Sequence, residues 1–540
     1  RQRRGRARLG HRRPRRRPRR GAGRDDREHG RCGSRKRGGD RGLVAFRKKY
    51  AGIYRSYEAF LLRHGKVGAA FELYERTRAQ ALLALLQERD LDFTEGDLPP
   101  ALRNRRSSIL LEIDRAYLAL AKVPENDAAA REAQRLALES LHAQRELVTR
   151  EIHAASPRLA AIEAPPALGL DAIRRGLAPG TLLLAYSVGT KSSTLFALPA
   201  GGELAAYPIA AGEPELAADV RRWVELTTSA ALGRAELASL ERRLGDRLLS
   251  PVAGQLAKAQ RLLVVPDGAL HSLAFAALPD PRNPAKRLIE ALPVSHQVSA
   301  SVHAALARRP AAGIGAIGAI GSVAVFADPV TAATAPARLR RELGRLPATR
   351  REAARVNEAF GGRAHLFLDA DATEATARRE MASASLAHFA THAVVDEALP
   401  LDSALVLSPS GGDEGLLQAW EIAEQVKLTS DLVVLSACET ARGGDRGGEG
   451  VLGLVRALQV AGARSVVASL WRVDDESTAE LMGRFYSALA TGLPRDEALR
   501  RAQLELLRGG VEVERDGRKV ALRTAEPRHW APFILIGPAD

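Results

Sequence analysis

Two short runs that stay apolar from one residue to the next constrain this chain most. They are Leu386-Ala-His-Phe-Ala-Thr-His-Ala-Val394 and Asp431-Leu-Val-Val-Leu-Ser-Ala-Cys-Glu-Thr440. A strand that is apolar on both faces belongs in a parallel sheet with helices on each side, because an antiparallel strand facing water would alternate. Further strand-like runs occur at Thr181–Val188, Ser193–Leu198, Arg261–Pro266, Ser322–Phe326 and 464–470. Helical patterns near 214–248, 349–360, 373–382 and 450–461 lie between them. Strands alternating with helices predict an α/β fold with a doubly wound, mostly parallel sheet. The strands at 181–188 and 193–198 are expected to form a hairpin around Gly189.

Upstream the period is helical. Residues 65–86 place Val67, Phe71, Tyr74, Leu82 and Leu85 on one face of a helix. Two more helices are expected at about Ser107–Lys122 and Asp127–His153, with Ser107 and Asp127 as N-caps. They read as an antiparallel helical hairpin. This divides the chain into 1–42, an Arg-rich tail, 43–98, a helical segment, and 99–167, a helical hairpin with a linker. The α/β sequence follows.

The charge is lopsided. The chain carries +16, but residues 1–42 hold 19 Arg or Lys against 4 Asp or Glu, and the other 498 residues hold 61 against 60. The tail has no apolar run from which to build a core and is expected to be disordered. Its composition is what GC-rich DNA yields in a wrong frame, and an out-of-frame or mis-called start, or a truncated upstream region, is preferred to a basic arm on nucleic acid, so a nucleic-acid partner is not expected. A signal peptide is rejected because no apolar segment follows the charges. No run reaches the eighteen or so apolar residues of a membrane helix, so no membrane association is expected. Cys32 and Cys438 lie in unrelated contexts, which fits a reducing, cytoplasmic setting.

Chemistry is expected where strands end. In an open parallel sheet the carboxyl ends of neighbouring strands share one edge, and ligands bind there. If the two apolar runs are neighbours, His392 and Cys438 meet at that edge. A cysteine needs an adjacent base or positive field to become an effective nucleophile, and an imidazole supplies one. Against this stands the plainer reading of Cys438 as a small buried hydrophobe. His388 is expected to share the strand face of His392 and to be structural. The pair is not a zinc motif, since the segment reads as strand and no His-Glu-x-x-His occurs.

The ordered segments Val265-Pro-Asp-Gly-Ala-Leu-His-Ser-Leu273, His388-Phe-Ala-Thr-His392, Leu435-Ser-Ala-Cys-Glu-Thr440, Gly447–Ala457, Ala468-Ser-Leu-Trp-Arg-Val-Asp-Asp475 and Trp530-Ala-Pro-Phe-Ile-Leu-Ile-Gly537 resemble the CHAT family, caspase-like peptidase domains usually carried behind tetratricopeptide (TPR) repeats. The resemblance covers roughly residues 170–540. It implies a cysteine endopeptidase with His392 and Cys438 as the dyad. The amides of Ala393 and Cys438 would form an oxyanion hole, and no metal or organic cofactor would be needed. Residues 168–320 would be a degenerate caspase-like half and 321–540 the catalytic half. Residues 43–98 would be the last TPR-like unit, with upstream repeats missing from this chain and a regulatory protein partner received by the helical region. The substrate would be a protein or peptide. A catalytically weak or inactive interaction module is the alternative.

One departure stands out. The family usually has Gly after the catalytic histidine, and this chain has Ala393, which would be strained if the backbone there required positive φ. By the same resemblance Asp474 or Asp475 would hold a basic P1 side chain, with Trp471 walling the pocket. Either aspartate would serve equally as the N-cap of the helix expected at 477–489, and Trp471 could simply pack. The glycines of 313–321 precede a strand and read as a connector. Gly443–Gly450 lacks a P-loop ending and reads as a loop beside the cleft.

Overall fold

The apolar runs pair into one large sheet. The structure is a computed structural model. It describes residues 54–87, scattered positions from 102 to 151, and 168–540 apart from 230–232, 309–320, 331–344, 396–402, 411–412, 414, 437, 442–448, 472 and 516–517. The expectations for the Arg-rich tail, Cys32, Ser107 and most of the two glycine-rich stretches lie outside the described residues.

The first strands are β1 (Thr181–Ser187), β2 (Ser193–Pro199), β3 (Ala205–Ile209), β4 (Arg261–Val265), β5 (Pro279–Asp280), β6 (Asn283–Arg287) and β7 (Val294–His296). They are followed by β8 (Val323–Pro329), β9 (Ala364–Asp369), β10 (Leu386–Ala390), β11 (His392–Val395), β12 (Ala404–Val406) and β13 (Leu416–Gln418). The last are β14 (Leu432–Leu435), β15 (Cys438–Ala441), β16 (Ser465–Ser469), β17 (Val511–Arg515), β18 (Arg518–Leu522) and β19 (Phe533–Ile536). The helices used below are α1 (54–63), α2 (Val67–Gln87), α3 (Leu170–Arg175), α4 (Glu213–Thr228), α5 (Arg234–Leu248) and α6 (Ala300–Ala307). They continue with α7 (Thr349–Ala359), α8 (Glu374–Met381), α9 (Ala419–Gln425), α10 (Glu449–Ala461), α11 (Asp475–Ala490) and α12 (Arg495–Arg508).

Eleven strands form the main sheet in the order β3-β2-β1-β4-β7-β19-β16-β14-β10-β8-β9. The expected hairpin is β1–β2, and β2 pairs antiparallel with β3 as well. Strands β1, β4, β7 and β19 are mutually parallel. So are β16, β14, β10, β8 and β9. The two sets meet antiparallel at β19–β16. That seam is the feature a reading of the chain as one doubly wound sheet does not foresee. It places the carboxyl ends of β8, β10, β14 and β16 on one edge and those of β1, β4 and β7 on the opposite edge.

Alternate residues along each strand feed two helix layers, as a parallel sheet buried on both faces requires. Leu182, Leu184 and Tyr186 of β1 join Trp223 of α4, Leu244 of α5 and Phe485 of α11 in one core. Leu183 and Ala185 turn the other way, into a cluster with Phe71 and Tyr74 of α2 and Ile173 of α3. Val433 and Leu435 of β14 pack with Ile422 of α9 and Val455 of α10. Leaving α10, the chain turns into β16 at Gly462, whose φ of 135° suits only glycine and where a Cβ would sit 2.6 Å from the Leu428 carbonyl oxygen.

The helical segment buries its apolar face against this sheet. Phe71 (0% exposed) and Tyr74 (3%) pack on Phe196 of β2. Charged groups on the same helix are drawn in with them. Glu75 is fully buried and accepts hydrogen bonds from the Ser299 hydroxyl (2.9 Å) and from the amides of Ala300 (3.1 Å) and Ser301 (2.8 Å), so it caps α6 from another helix. Arg78 pairs with Asp267 at 2.7 Å and donates to the Pro266 carbonyl at 2.7 Å. Glu58 of α1 accepts from the Ser187 hydroxyl at 2.9 Å. These contacts tie the helical segment to the edge formed by the carboxyl ends of β1, β4 and β7. In the second expected hairpin, Asp127 does cap its helix, accepting from the Ala130 amide at 3.0 Å.

Candidate active site

The two runs expected as single strands each break in two. The first becomes β10 and β11 around Thr391, and the second becomes β14 and β15 after Leu435. β10 and β14 lie side by side, Leu386 opposite Leu432 and Phe389 opposite Leu435. Past the edge the helix layers no longer cover both faces. There the chain moves into a second sheet, β13-β12-β11-β15, in which β11 alternates half-buried and buried positions. His388 and His392 therefore sit on different strands of different sheets. The expectation that they share one strand face is corrected by this break, though His388 is structural in the sense expected, being 0% exposed.

β11 and β15 are parallel neighbours, and His392 is the register partner of Cys438. Adjacent strands run about 4.8 Å apart, so partners in register are the nearest cross-strand neighbours a sheet offers. His392 is half-buried, and the fully enclosed Thr391 donates its hydroxyl to the His392 carbonyl at 3.3 Å. Ala393 is 4% exposed and lies in the packed layer with Leu405. The described non-glycine residues with positive φ are Asp328 and Asp369, so Ala393 is an unstrained strand residue. Its strand has neighbours on both sides, opposite Leu405 and Glu439, and its backbone belongs to those ladders.

β16 delivers the next group to the same edge. Asp474 is exposed and caps α11, its Oδ1 accepting from the Ser477 amide at 3.1 Å, while Asp475 is an exposed residue of the first turn. Trp471 is 6% exposed, meets Trp223 edge-on at 5.7 Å, and donates Nε1–H to the Arg528 carbonyl at 3.4 Å. A group the sequence did not single out adjoins the cap. Arg528 donates to Nε2 of His529 at 3.0 Å, and Nδ1 of His529 lies 3.2 Å from the Ser477 hydroxyl. Burial, and then the Arg528 charge, lower the His529 pKa. The neutral ring with its proton on Nδ1 therefore donates to Ser477. Only the Trp530 segment hinted that this stretch mattered.

Behind β10 lies a second buried group, also missed. His388 places Nδ1 2.8 Å from the Tyr486 hydroxyl and Nε2 3.1 Å from Oε1 of Glu352. Glu352 and Tyr486 are on α7 and α11, far apart in sequence, and neither shows a pattern that marks it. Among the described residues no group of three or more His, Cys, Asp or Glu could hold a metal, and no helix is long and apolar enough to cross a membrane.

These features define an α/β protein with a mostly parallel, helix-covered sheet and a histidine opposite a cysteine where two central strands leave it. A CHAT domain family model matches residues 239–538, and the chain belongs to the CHAT family. Tetratricopeptide repeat protein 28 of Mus musculus is 26% identical over 231 residues, 36% of this chain and 9% of that protein. Its Homo sapiens counterpart is 25% identical over 226 residues, again 36% of this chain and 8% of that protein. The chain thus spans under a tenth of the length of these relatives. Two crystal structures of the Saccharomyces cerevisiae separase–securin complex align with TM-scores of 0.46 and 0.41 at 10% identity, covering 85% and 87% of this chain and 37% and 40% of the other.

Proposed function

We propose that this chain is a cysteine endopeptidase of the CHAT, caspase-like type, with His392 as base and Cys438 as nucleophile. The observation that carries the reading is their register pairing on β11 and β15. The imidazole would take the thiol proton, the thiolate would attack a peptide carbonyl, and water would release the acyl-enzyme. The amides of Cys438 and Ala393 would hold the oxyanion, which requires the β11 ladder to free the Ala393 amide. Peptide would lie extended along the sheet edge. Asp475, which does not serve as the cap, is the better placed of the two aspartates to receive a basic P1 side chain, with Asp474 and Trp471 holding the turn that presents it.

The division into an accessory half, 168–320, and a catalytic half, 321–540, belongs to this proposal. It is supported by the seam, since every main-sheet strand of 168–320 lies on one side and those of 321–540, apart from β19, on the other. The helical region would receive a regulatory protein, and the enzyme would act in a reducing, cytoplasmic compartment where a free thiol persists. No cofactor is invoked.

The test is labelling with an electrophilic peptidyl probe carrying P1 Arg, compared across wild type, Cys438→Ala and His392→Ala. Labelling lost in both variants supports the dyad and a basic P1. Silence with P1 Arg, Leu and Asp probes alike favours the rival reading, an inactive interaction module, which the double-sided ladder at Ala393 also favours.

A further inference from the structure

The Glu352–His388–Tyr486 group has no part in the chemistry proposed above, yet it joins three elements beneath the candidate dyad. All three side chains are buried, at 3%, 0% and 0% exposure. His388 sits on β10, with Val325 of β8 and Val434 of β14 beside it in register. Its ring points into the layer formed by α7 and α11, where Tyr486 also packs against Phe360 with ring centroids 5.5 Å apart. Burial, reinforced by the Glu352 carboxylate, raises the Tyr486 pKa well above that of an ordinary phenol. The phenol therefore keeps its proton and donates it to Nδ1, which leaves Nε2–H facing the Glu352 carboxylate 3.1 Å away, close in distance but outside hydrogen-bond geometry.

A buried polar group of this kind adds little stability over a well-packed apolar one, and its distinctive property is direction. The neighbours of His388 on the same face, Leu386 and Ala390, are apolar and make no directional contact. Along this face of β10, which ladders to β8 and β14 hold on both sides, the hydrogen bond from Tyr486 is thus the directional contact with the helix layer. From His388 the chain runs through Phe389 and Ala390 to the single bend residue Thr391 and then His392, so little chain is available to absorb a shift. Because side chains alternate along a strand, even a small slide changes what His392 presents to Cys438.

We propose that His388, held by the Tyr486 hydrogen bond and facing the Glu352 carboxylate, is a positioning residue that sets the placement of His392 opposite Cys438. The proposal rests on the dyad reading for its chemical consequence, but placement is measurable without it.

The experiment compares wild type with Tyr486→Phe, Glu352→Gln and His388→Leu, all carrying Cys32→Ser so that Cys438 is the only thiol. The His392 ring is titrated by NMR, its signals assigned by their loss in His392→Ala. The pH profile of Cys438 alkylation by iodoacetamide is recorded alongside thermal unfolding. The expected result is a His392 pKa displaced by about one unit, a tenfold change in protonated fraction away from the midpoint, with a matching shift of the alkylation profile. Glu352→Gln, which keeps the side-chain shape and the Tyr486 hydrogen bond and removes only the charge beside Nε2, should be displaced least. If His388→Leu does not fold, Tyr486→Phe, which deletes one oxygen, carries the test. Folded variants with a lower Tm but an unchanged His392 titration would overturn the proposal and leave the group a structural one. A wild-type thiol whose reactivity ignores His392 would sink the dyad instead, and a displaced His392 titration would still support the positioning role.

Discussion

His392 and Cys438 are register partners on adjacent parallel strands, and neither is carried on a free loop. A base held this way should lower the pH at which the thiol ionises. With Cys32→Ser as background, Cys438 is expected to alkylate with an apparent pKa below the ~8.5 of a free thiol. His392→Ala should return it toward that value. On a cleaved substrate the same substitution should reduce kcat/KM by a factor of about 10²–10⁴.

Ala393 stands where the family usually has glycine, and the backbone there is ordinary strand. Ala393→Gly is therefore expected to bring no gain in labelling rate. It should lower stability by about 0.5–1 kcal/mol, because glycine loses more freedom on folding. Chemical denaturation together with probe labelling checks both. A clear rise in labelling would mean that the active backbone differs from the one described.

Under the proposed function, the two aspartates after β16 divide cap from pocket. Asp474→Ala removes the acceptor for the Ser477 amide and should cost about 1 kcal/mol. Asp475→Asn should reduce labelling by P1 Arg probes relative to P1 Leu. An equal effect on both probes would remove Asp475 from the pocket.

Glu58 makes the docking of the helical segment depend on pH. Burial raises its pKa from 4.5 to about 7, partly offset by the Ser187 hydrogen bond and helped by the nearby Asp267 charge. A carboxyl with a raised folded pKa holds its proton more tightly in the folded state. Its contribution is thus fully present below pH 4.5 and is lost as pH rises through about 7. The loss is on the order of 2–3 kcal/mol. Glu58→Gln keeps the contact with Ser187 and removes the titration. Urea midpoints at pH 5 and pH 8 should therefore differ less in the variant than in wild type, and equal differences would exclude the effect.

Local sequence determined much of this protein. Val/Leu/Ala runs without alternation could only be strands covered on both faces, so β1, β4, β8, β10, β14 and β16 were legible, as were the helices between them. The spacing of Phe71 and Tyr74 identified the buried face of α2, and Asp127 was legible as a cap because capping is settled within one helical turn, whereas the choice of Asp474 over Asp475 waited for the structure. What tertiary structure alone decided involves partners far apart in the chain. It set the antiparallel seam at β19–β16, where the last strand inserts between two sets of opposite direction. It drew Glu75 and Arg78 out of an apparent solvent face to cap α6 and pair with Asp267. It also gathered Glu352, His388 and Tyr486 from α7, β10 and α11. Periodicity reports which face of an element is buried, but a buried charge is tolerated only where a partner arrives from elsewhere, and the sequence around it carries no trace of that partner.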